Sequence, residues 1–427
     1  MTSVPASLDD VTQTTHTARR AWAAVLLLAA VGTLNYVDRF LPAVLAEPIR
    51  LDLALSDTAI GVINGFGFLV VYAVVGIPIA RIADRGAFGV VISGCLTLWG
   101  AMTMLGGAVT SGVQLAATRV GVAVGEAGST PAAHAYVARN FPAERRAAPL
   151  AVITLSIPLA SAASLTVGGL LAQSFGWRTT FVVMGAVSVL FAPLVLLVLG
   201  RRQAMPVQAP GSALPTSSVW DLVRKRSYIA IVAAQAFVAV AGYSLTTFAP
   251  AFLMRAHDMS LSQVGVQYGI ASGVAGILGL LVVGRLADRL SARDPRWLLF
   301  LTMAMIATLL PFSSLAVVVP SKTLAVCFLG LSYVVGIAHM APTIAAIQRL
   351  APAAQRATAS AVLLFFGSVL GASGPFLTGV ISDALKADLG EMSLGRALLL
   401  IVPIAQVLAI LCYFLASRRF LREIIAS

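Results

Sequence analysis

Four charged side chains lie inside long stretches of sequence that are otherwise apolar, and they are the residues best suited to chemistry. They are Asp38, Arg39, Arg119 and Glu126. An ion inside a membrane costs several kcal/mol, so we expect all four to face a cavity and to pair with one another. A buried carboxylate beside an arginine can change its protonation when the surrounding helices rearrange. The pattern therefore predicts a proton-coupling network.

The spacing of the four residues supports a single network. Arg119 and Glu126 are seven residues apart, which is two turns, or about 10 Å, along one face of a helix. Successive spanning helices run in opposite directions, so Asp38, late in the first, lies at about the depth of Arg119, early in the fourth. A static set of salt bridges that locks these two helices together is the alternative. We favour the coupling role because helix packing alone does not require four buried charges.

The elements that must position these residues are membrane-spanning helices. Of the 427 residues, 59% are hydrophobic and only 11% are charged, whereas a soluble domain has roughly 25% charged residues. The sequence predicts an all-α integral membrane protein, with no room for a soluble catalytic domain and no enzymatic activity. Twelve apolar stretches of spanning length, helix 1 to helix 12 in chain order, cover residues 22–45, 58–82, 88–110, 113–137, 147–172, 178–200, 228–254, 262–287, 297–319, 323–348, 358–382 and 395–417.

The long interruption at 201–226, which contains three prolines and an amphipathic segment, divides the chain into two bundles of six helices, 21–200 and 227–417. Most of the 29 Lys and Arg residues lie in alternate loops. By the positive-inside rule the linker, the N-terminal tail 1–20 and the C-terminal tail 418–427 are cytoplasmic. The net charge of +12 is therefore a topological bias, and we expect no nucleic-acid partner.

No pattern in the sequence predicts a cofactor or a metal site. The three cysteines lie inside apolar stretches and form no ligand motif. No glycine-rich phosphate-binding loop of the Walker type occurs, so ATP is not expected to drive the protein directly. A proton gradient is the expected source of energy.

The two halves of the chain repeat one another. Residues 80–85 read ARIADR and residues 284–289 read GRLADR, each at the end of the second helix of its half. These Asp-Arg turns, with RVGVAVGEA at 119–127, resemble the signature motifs of the major facilitator superfamily. The stretches LNYVDRF at 34–40 and GVISD at 379–383 most resemble the spinster family of lysolipid and sphingolipid transporters.

The resemblance implies two pseudo-symmetric six-helix bundles that rock about a substrate site at their interface. In the spinster family the matching acid and arginine of helix 4, with the Asp-Arg pair of helix 1, are implicated in proton coupling and gating. We expect the turns to hold the cytoplasmic side shut when the cavity opens outward, the alternative being basic loops anchored at lipid phosphates. The gating candidates are Asp84, Arg85, Gly284, Asp288, Arg289 and Arg293, with Arg145 and Arg356 in the next cytoplasmic loops.

The substrate site is predicted from charge and depth. Arg119 is the first candidate for an anionic head group, phosphate or carboxylate. His339, midway along helix 10, is a candidate for proton relay or head-group contact, with a satisfied buried histidine as the alternative. The other candidates rest on depth or on an apolar contact with substrate, and for each the alternative is helix packing or lipid contact. They are Glu126, Tyr36, Asn64, Tyr243, Tyr268 and Phe366.

The sequence therefore predicts a proton-coupled secondary transporter that moves a small amphiphilic anion of lysolipid or sphingoid type by alternating access. We expect a monomer in a bacterial inner membrane, with substrate, protons and the bilayer as its partners. A proton-coupled organic-acid carrier or a multidrug exporter of the same superfamily is the alternative. An uncoupled lipid facilitator, a scramblase or a membrane receptor is more remote.

Overall fold

The computed structural model describes residues 8–83, 87–142, 145–200, 222–352 and 355–425. These residues are almost entirely helical, and no β-strand occurs among them. Nine segments within these ranges are long and apolar enough to cross a membrane. The architecture is therefore that of an all-α membrane protein.

The nine apolar segments account for all but one of the predicted helices. Ala148–Leu199 contains helices 5 and 6, which meet at Gly176, where φ is 81°. Thr358–Ile424 contains helices 11 and 12. The remaining predicted helix, helix 4, carries Arg119 and Glu126 and is not among the nine segments, but it is helical in the structure. The prediction of twelve helices is confirmed.

Helix 1 begins at Leu8 and helix 12 ends at Ile425, so both extend into the segments predicted as tails, whereas linker residues 201–221 lie outside the described ranges. In the N-terminal half the helical segments are Leu8–Val44, Ala46–Asp52, Asp57–Asn64, Phe66–Ala83, Phe88–Gly106, Gly112–Glu126, Ser129–Asn140, Ala147–Thr154 and Ser156–Leu199. In the C-terminal half they are Arg226–His257, Leu261–Gln263, a π-helical turn Val264–Tyr268, Gly269–Ser291, Trp297–Val318, Lys322–Ala338, Met340–Leu350, Arg356–Gly371, Ser373–Leu389, a 3₁₀ turn Gly390–Met392 and Ser393–Ile425.

Prolines explain the breaks within helices 4, 5, 10 and 11. Each break lies three residues before a proline: Gly128 before Pro131, Leu155 before Pro158, His339 before Pro342, and Ala372 before Pro375. Proline has no N–H, and its ring clashes with the carbonyl group four residues earlier, so the helix cannot continue regularly through that point. The breaks put Glu126 and His339 at segment ends near the middle of the membrane.

Among the described residues, the two halves share an apolar core at one end of the molecule. We call the end that holds Arg255 the Arg255 end, and the opposite end the Asp288 end. At the Arg255 end a single apolar cluster takes residues from both halves, such as Leu45 and Phe252. Toward the Asp288 end there are two clusters, one in the N-terminal half apart from Ala372 and one wholly in the C-terminal half. The halves therefore have separate cores at the Asp288 end.

Glycines allow the halves to touch through their backbones. Helix 2 crosses helix 11 where a Cβ on Gly61 would lie 2.3 Å from the carbonyl oxygen of Pro375. Helix 5 crosses helix 8 where a Cβ on Gly265 would lie 2.5 Å from the carbonyl oxygen of Leu165. No larger residue fits at either crossing without moving a helix, so these seams fix how closely the halves approach.

Candidate substrate and proton-coupling site

A cavity of about 220 Å³ lies between the two halves, beside the helix breaks. Its wall in the N-terminal half carries aromatic and cationic side chains, and its wall in the C-terminal half carries mainly small, aromatic and uncharged polar ones. No acidic residue is among the described residues that line it. Six of the predicted substrate residues line the cavity: Tyr36, Asn64, Arg119, Tyr243, Tyr268 and His339.

Arg39 and Glu126 form the ion pair that joins helix 1 to helix 4. The Nε and Nη2 groups of Arg39 donate to one oxygen of Glu126 at 3.3 and 3.0 Å, and the Glu126 side chain is completely buried. The Arg39 guanidinium also lies over the rings of Tyr72, Tyr36 and Phe68, with its carbon 4.4 to 5.1 Å from their centres. Ring faces attract a cation, so Arg39 is held both by the Glu126 carboxylate and by these rings. Arg39 lines the cavity and separates Glu126 from it.

Arg119 lines the same cavity without an ion-pair partner in the described ranges. It is 2% exposed, and its Nε and Nη1 groups have no hydrogen-bond partner. The ring of Phe68 lies close to this cation, with its centre 4.9 Å from the guanidinium carbon. The expectation that all four charges pair is therefore wrong for this conformation. A buried guanidinium with unused donors, on a cavity whose described lining contains no acid, is suited to bind an anion.

Asp38 turns away from the cavity toward helix 3. One carboxylate oxygen accepts a hydrogen bond from the hydroxyl of Thr103 at 2.8 Å, and the other has no hydrogen-bond partner among the described residues. Asn35, one turn earlier, is completely buried with both amide atoms also unpartnered. One carboxylate oxygen of Glu126 is likewise buried without a hydrogen-bond partner among the described residues. Several polar atoms of this region are thus buried without a partner, which favours a second arrangement in which they find one.

Two of the predicted substrate residues do not line the cavity. Glu126 lies behind Arg39, because the ion pair turns the carboxylate toward helix 1. Phe366 is 43% exposed and packs edge-on against Phe365, on a face of helix 11 that points away from the cavity. Phe366 was predicted from a possible apolar contact with substrate, and its exposure fits the alternative, contact with lipid.

His339 is paired with a residue that the sequence reading did not single out. Its Nδ1 atom lies 2.6 Å from the carbonyl oxygen of Val335, and its Nε2 atom lies 2.9 Å from the side-chain oxygen of Gln235 on helix 7. Both side chains are buried and both line the cavity. The pair therefore joins helices 7 and 10 in the wall of the C-terminal half.

A second cluster of charges closes the Arg255 end. The Arg255 side chain, 5% exposed, donates from Nε to Glu47 at 2.7 Å and from Nη1 and Nη2 to the two oxygens of Asp57 at 2.9 and 2.8 Å. Arg50 donates to Glu47 at 2.7 and 3.1 Å. Arg255 belongs to the C-terminal half and its two partners to the N-terminal half, so these ion pairs hold the halves together.

Helix 11 adds to the same closure by capping helix 2. The Asp383 carboxylate accepts hydrogen bonds from the backbone N–H groups of Asp57 and Thr58 at 3.0 and 2.8 Å. These are the first residues of helix 2, where the N–H groups have no partner within the helix. Ser382 donates to Asp57 at 2.7 Å. The N-terminus of helix 2 is therefore completed by the other half of the protein.

Glu47 lies outside the membrane-spanning segments, in the short helix after helix 1. Burial alone raises the pKa of its carboxyl group. The hydrogen bonds and charges of Arg50 and Arg255 outweigh burial and hold the pKa below its usual value. Glu47 therefore contributes to closure as an anion.

Comparison with known proteins identifies the family. The Major Facilitator Superfamily model matches residues 28–375. The chain belongs to the Major Facilitator Superfamily.

Its relatives within the superfamily are transporters. The chain is 64% identical to an "MFS-type efflux pump" of Mycolicibacterium smegmatis, over 100% of this chain and 99% of that protein. It is 26% identical to a sphingosine-1-phosphate transporter of Danio rerio, over 92% and 83% of the two chains. It is also 25% identical to a hexuronate transporter of Bacillus subtilis, over 94% and 95%.

A solved structure has the same fold. It is the crystal structure of a bacterial homologue of the human lysosomal transporter spinster, described as inward-facing and unoccupied. The TM-score is 0.81 at 27% sequence identity, over 95% of this chain and 98% of that chain. The resemblance to spinster transporters is confirmed.

The superfamily's gating motif lies at the Asp288 end. Asp84 and Arg85, in the N-terminal copy, fall outside the described residues. In the C-terminal copy a Cβ on Gly284 would meet nothing within 4 Å. The charged candidates that the structure describes are all exposed, and none has an ion-pair partner within the described ranges: Asp288, Arg289, Arg293, Arg145 and Arg356. Among the described residues, no ion pair therefore joins the ends of the two halves that carry these candidates.

Proposed function

We propose that the protein is a proton-coupled secondary transporter of an amphiphilic anion. One observation carries the proposal: Arg119 is buried with free donors on a cavity that lacks acidic residues in the described ranges. A desolvated guanidinium binds phosphate or carboxylate strongly. The aromatic side chains of Tyr36, Phe40 and Phe68 around it supply apolar surface for the rest of the molecule.

The proton in this mechanism is exchanged at Glu126. Its carboxylate is paired with Arg39, and Arg39 itself lies on the cavity. Protonation of Glu126 removes the charge that holds Arg39, so the guanidinium is released toward the cavity. Conversely, an anion that attracts Arg39 weakens its hold on Glu126. The binding of substrate and of a proton are then linked by one shared side chain.

Asp38 is the second acid of the coupling network. Its hydrogen bond to Thr103 leaves one oxygen free, and Arg119 is the cation of helix 4 nearest to it in depth. When the halves rock, a new pairing of Asp38 with Arg119 would release the anion from Arg119. This exchange of partners accounts for the unpartnered buried atoms in the present conformation.

Alternating access proceeds by opening one end and closing the other. The bias of Lys and Arg residues assigns the Asp288 end to the cytoplasm, which makes the present conformation inward-facing. Arg255, Glu47 and Asp57 form the outer gate, since their ion pairs cross between the halves. In the outward-facing conformation Asp288 and Arg289 close the cytoplasmic side with their counterparts Asp84 and Arg85, together with Arg293, Arg145 and Arg356.

The substrate is of lysolipid or sphingoid type, and the 26% identical relative named as a sphingosine-1-phosphate transporter supports that class. The 64% identical relative named as an efflux pump supports export. A proton-coupled organic-acid carrier is the second candidate, because the relative named as a hexuronate transporter is 25% identical over almost the whole length and its named substrate is an acid. We place the protein, as a monomer, in a bacterial inner membrane with both termini cytoplasmic.

The test is proton movement in proteoliposomes of the purified protein. A pH indicator inside the vesicles records the response to lysophospholipids, sphingoid phosphates and hexuronates, each added without an imposed gradient. The proposal expects a proton signal with an amphiphilic anion and none with its uncharged analogue. A signal only with hexuronates would establish the second candidate, and uptake of an amphiphile without proton movement would refute coupling.

A further inference from the structure

A second cavity, of about 110 Å³, lies within the N-terminal half between helices 1, 4 and 5. We call it the inner chamber, to distinguish it from the substrate cavity, which Arg119 lines. A water molecule takes up about 30 Å³ in the liquid, so the inner chamber has room for about three. Its polar lining consists of five hydroxyl groups and one imidazole, from Tyr36, Ser129, Thr130, Thr154, Ser156 and His134. These groups provide the polar partners that water molecules in a protein require.

The inner chamber lies between the substrate cavity and the Asp288 end. Leu28 of helix 1 lines the chamber and belongs to the apolar cluster toward the Asp288 end, whereas Ala43, about four turns later in the helix, lines the substrate cavity. Tyr36 and Ile157 line both spaces and form the wall between them. The chamber is therefore on the side that the proposed function assigns to the cytoplasm.

The inner chamber is open at one end and closed at the other. His134 and Thr154 are exposed, and both lie on the Asp288 side of the breaks in helices 4 and 5. Ser129 and Ser156, which directly follow those breaks, are 4% and 2% exposed. The mouth of the chamber is therefore at His134, and its closed end lies at the helix breaks.

The closed end of the chamber lies beside Glu126. Ser129 is three residues after Glu126, and its hydroxyl donates to the backbone carbonyl oxygen of Glu126 at 3.2 Å. The ring centre of Tyr36 lies 4.9 Å from the guanidinium carbon of Arg39, which donates to the Glu126 carboxylate. The other carboxylate oxygen of Glu126 has no hydrogen-bond partner among the described residues, so it is free to accept a proton. The proposed proton carrier is therefore a neighbour of residues that line the chamber.

The substrate cavity is an unfavourable path for the same proton. Arg39 and Arg119 line that cavity, Arg39 separates it from Glu126, and no acidic residue is among its described lining. A proton on this path would approach two cations with no anion to offset them. The inner chamber has no arginine or lysine among its described lining residues.

His134 is the residue of the chamber that carries a proton near neutral pH. The ordinary pKa of a histidine is about 6.5 and that of a tyrosine is about 10, and Tyr36 is the other titratable residue in the described lining. Helices 1, 2, 3 and 5 all pack against this part of helix 4. Among the described residues, no other titratable or charged side chain of these helices lines the chamber, including those of Arg39, Tyr72, Cys95, Tyr136, Arg139 and Arg146.

We propose that the inner chamber is the path of the proton between Glu126 and the cytoplasm, with His134 as the relay at its mouth. On release, the proton leaves the carboxyl group of Glu126 and passes through the chamber water to neutral His134, which becomes an imidazolium. The imidazolium then gives the proton to a base in the cytoplasm, and uptake follows the reverse order. This inference rests on the proposed function. It adds that the proton and the substrate use separate routes on the same side of the membrane, so the proton moves while the substrate cavity is occupied.

The test measures the rate of proton movement in proteoliposomes in weakly buffered alkaline solution. The trigger is the compound with the largest wild-type signal among the lysophospholipids, sphingoid phosphates and hexuronates. Free protons are scarce under these conditions, so transfer through a relay limits the rate. His134→Gln keeps a polar side chain of similar size that cannot carry a proton, and it should move protons about tenfold or more slowly than wild type. Its exchange of labelled for unlabelled substrate should stay at the wild-type rate, because exchange needs no proton transfer.

Chemical rescue separates a relay from a structural role. Added imidazole should restore proton movement in His134→Gln, because a small base at the mouth replaces the missing side chain. Pyrazole is the control compound, since it has a ring of the same size but takes up a proton only in strong acid. Thr154→Val is the control variant, because it changes the same mouth without removing a proton acceptor, and its hydroxyl donates to the Leu150 carbonyl at 2.8 Å. It should move protons at the wild-type rate with or without imidazole.

Three results would overturn the relay. They are proton movement at the wild-type rate in His134→Gln, an equal loss of substrate exchange in that variant, and a slow variant that imidazole does not restore or that pyrazole restores equally. Failure of the proposed function has a different signature, because the wild-type protein would then exchange substrate without moving protons.

Discussion

Replacement of Arg255 by alanine should open the Arg255 end of the transporter without unfolding it. Arg255 is the only described residue of the C-terminal half that makes ion pairs with Glu47 and Asp57, and the exposures of their side chains are 5%, 7% and 1%. In the open conformation all three groups would reach water. The substitution therefore penalises the closed conformation much more than the open one.

The size of the effect follows from the ion pairs. Removal of one partner of a buried pair costs about 3–5 kcal/mol, because the other charge stays buried. Arg50 remains beside the two carboxylates after the substitution, at 2.7 Å from Glu47 and 3.9 Å from Asp57. We therefore take the lower end of the range. A cost of about 3 kcal/mol changes the ratio of closed to open molecules by about a hundredfold.

The assay measures distances between spin labels by double electron–electron resonance. Labels at Leu51 and Lys386 report the Arg255 end, because these residues belong to opposite halves and are exposed. Cys327, which is exposed, is first replaced by serine. The wild-type distance distribution should be narrow, and Arg255→Ala should add a population at longer distance.

Arg178→Ala is the matched control for this experiment. Arg178 pairs with Asp52 at the same end of the molecule, but both residues belong to the N-terminal half and are about 40% exposed. An exposed pair of this kind contributes only about 0–1 kcal/mol. The control should leave the distances unchanged. An unchanged distribution in Arg255→Ala, or an equal change in Arg178→Ala, would refute the assignment of the outer gate.

Three further predictions concern the cavity and its coupling. Arg119→Ala should weaken binding of an anionic substrate by about tenfold or more and that of its neutral analogue little, as measured by equilibrium binding, and equal losses would mean a structural role. Asp38→Asn should abolish substrate accumulation driven by a pH gradient while the melting temperature stays within a few degrees of wild type, and retained accumulation would exclude Asp38 from coupling. Closure of the Arg255 end should also depend on acid: because the pKa of Glu47 is lowered in the closed state, its stabilising contribution is present above the usual value of about 4.3 and is lost as the pH falls through the lowered pKa. The spin-label distances should therefore not change with pH between about pH 5 and pH 8 and should lengthen below about pH 4, and closure that persists in strong acid would contradict this role.

The twelve helices and the location of the cavity were predictable because both depend on residue type along one helix. A long run of apolar residues spans a membrane as a helix, because its backbone groups then pair within the segment. Buried charges such as Arg119 must face an interior space. The sequence predicted that the four buried charges pair with one another but did not assign the partners. The structure contains one such pair, Arg39 with Glu126.

The partners of individual side chains were less predictable, because they depend on how helices from different halves meet. Arg255 comes directly after the predicted end of helix 7, and only the packing of that helix against helices 1 and 2 buries it among carboxylates. One residue of this end could have been singled out from the sequence. It is Asp383, which lies in the GVISD stretch that carries the family resemblance and which caps helix 2. The direction of Phe366 depends in the same way on the rotation of helix 11, which periodicity does not fix.

The most direct test of proton coupling compares two transport assays on Glu126→Gln in proteoliposomes. Exchange of labelled for unlabelled substrate requires only that the protein binds substrate and alternates between its two open conformations. Accumulation driven by a pH gradient also requires proton transfer. We predict that Glu126→Gln retains exchange and loses gradient-driven accumulation, because the amide keeps the shape of the side chain but cannot carry the proton. Gradient-driven accumulation at the wild-type level would contradict the assignment of Glu126 as the proton carrier.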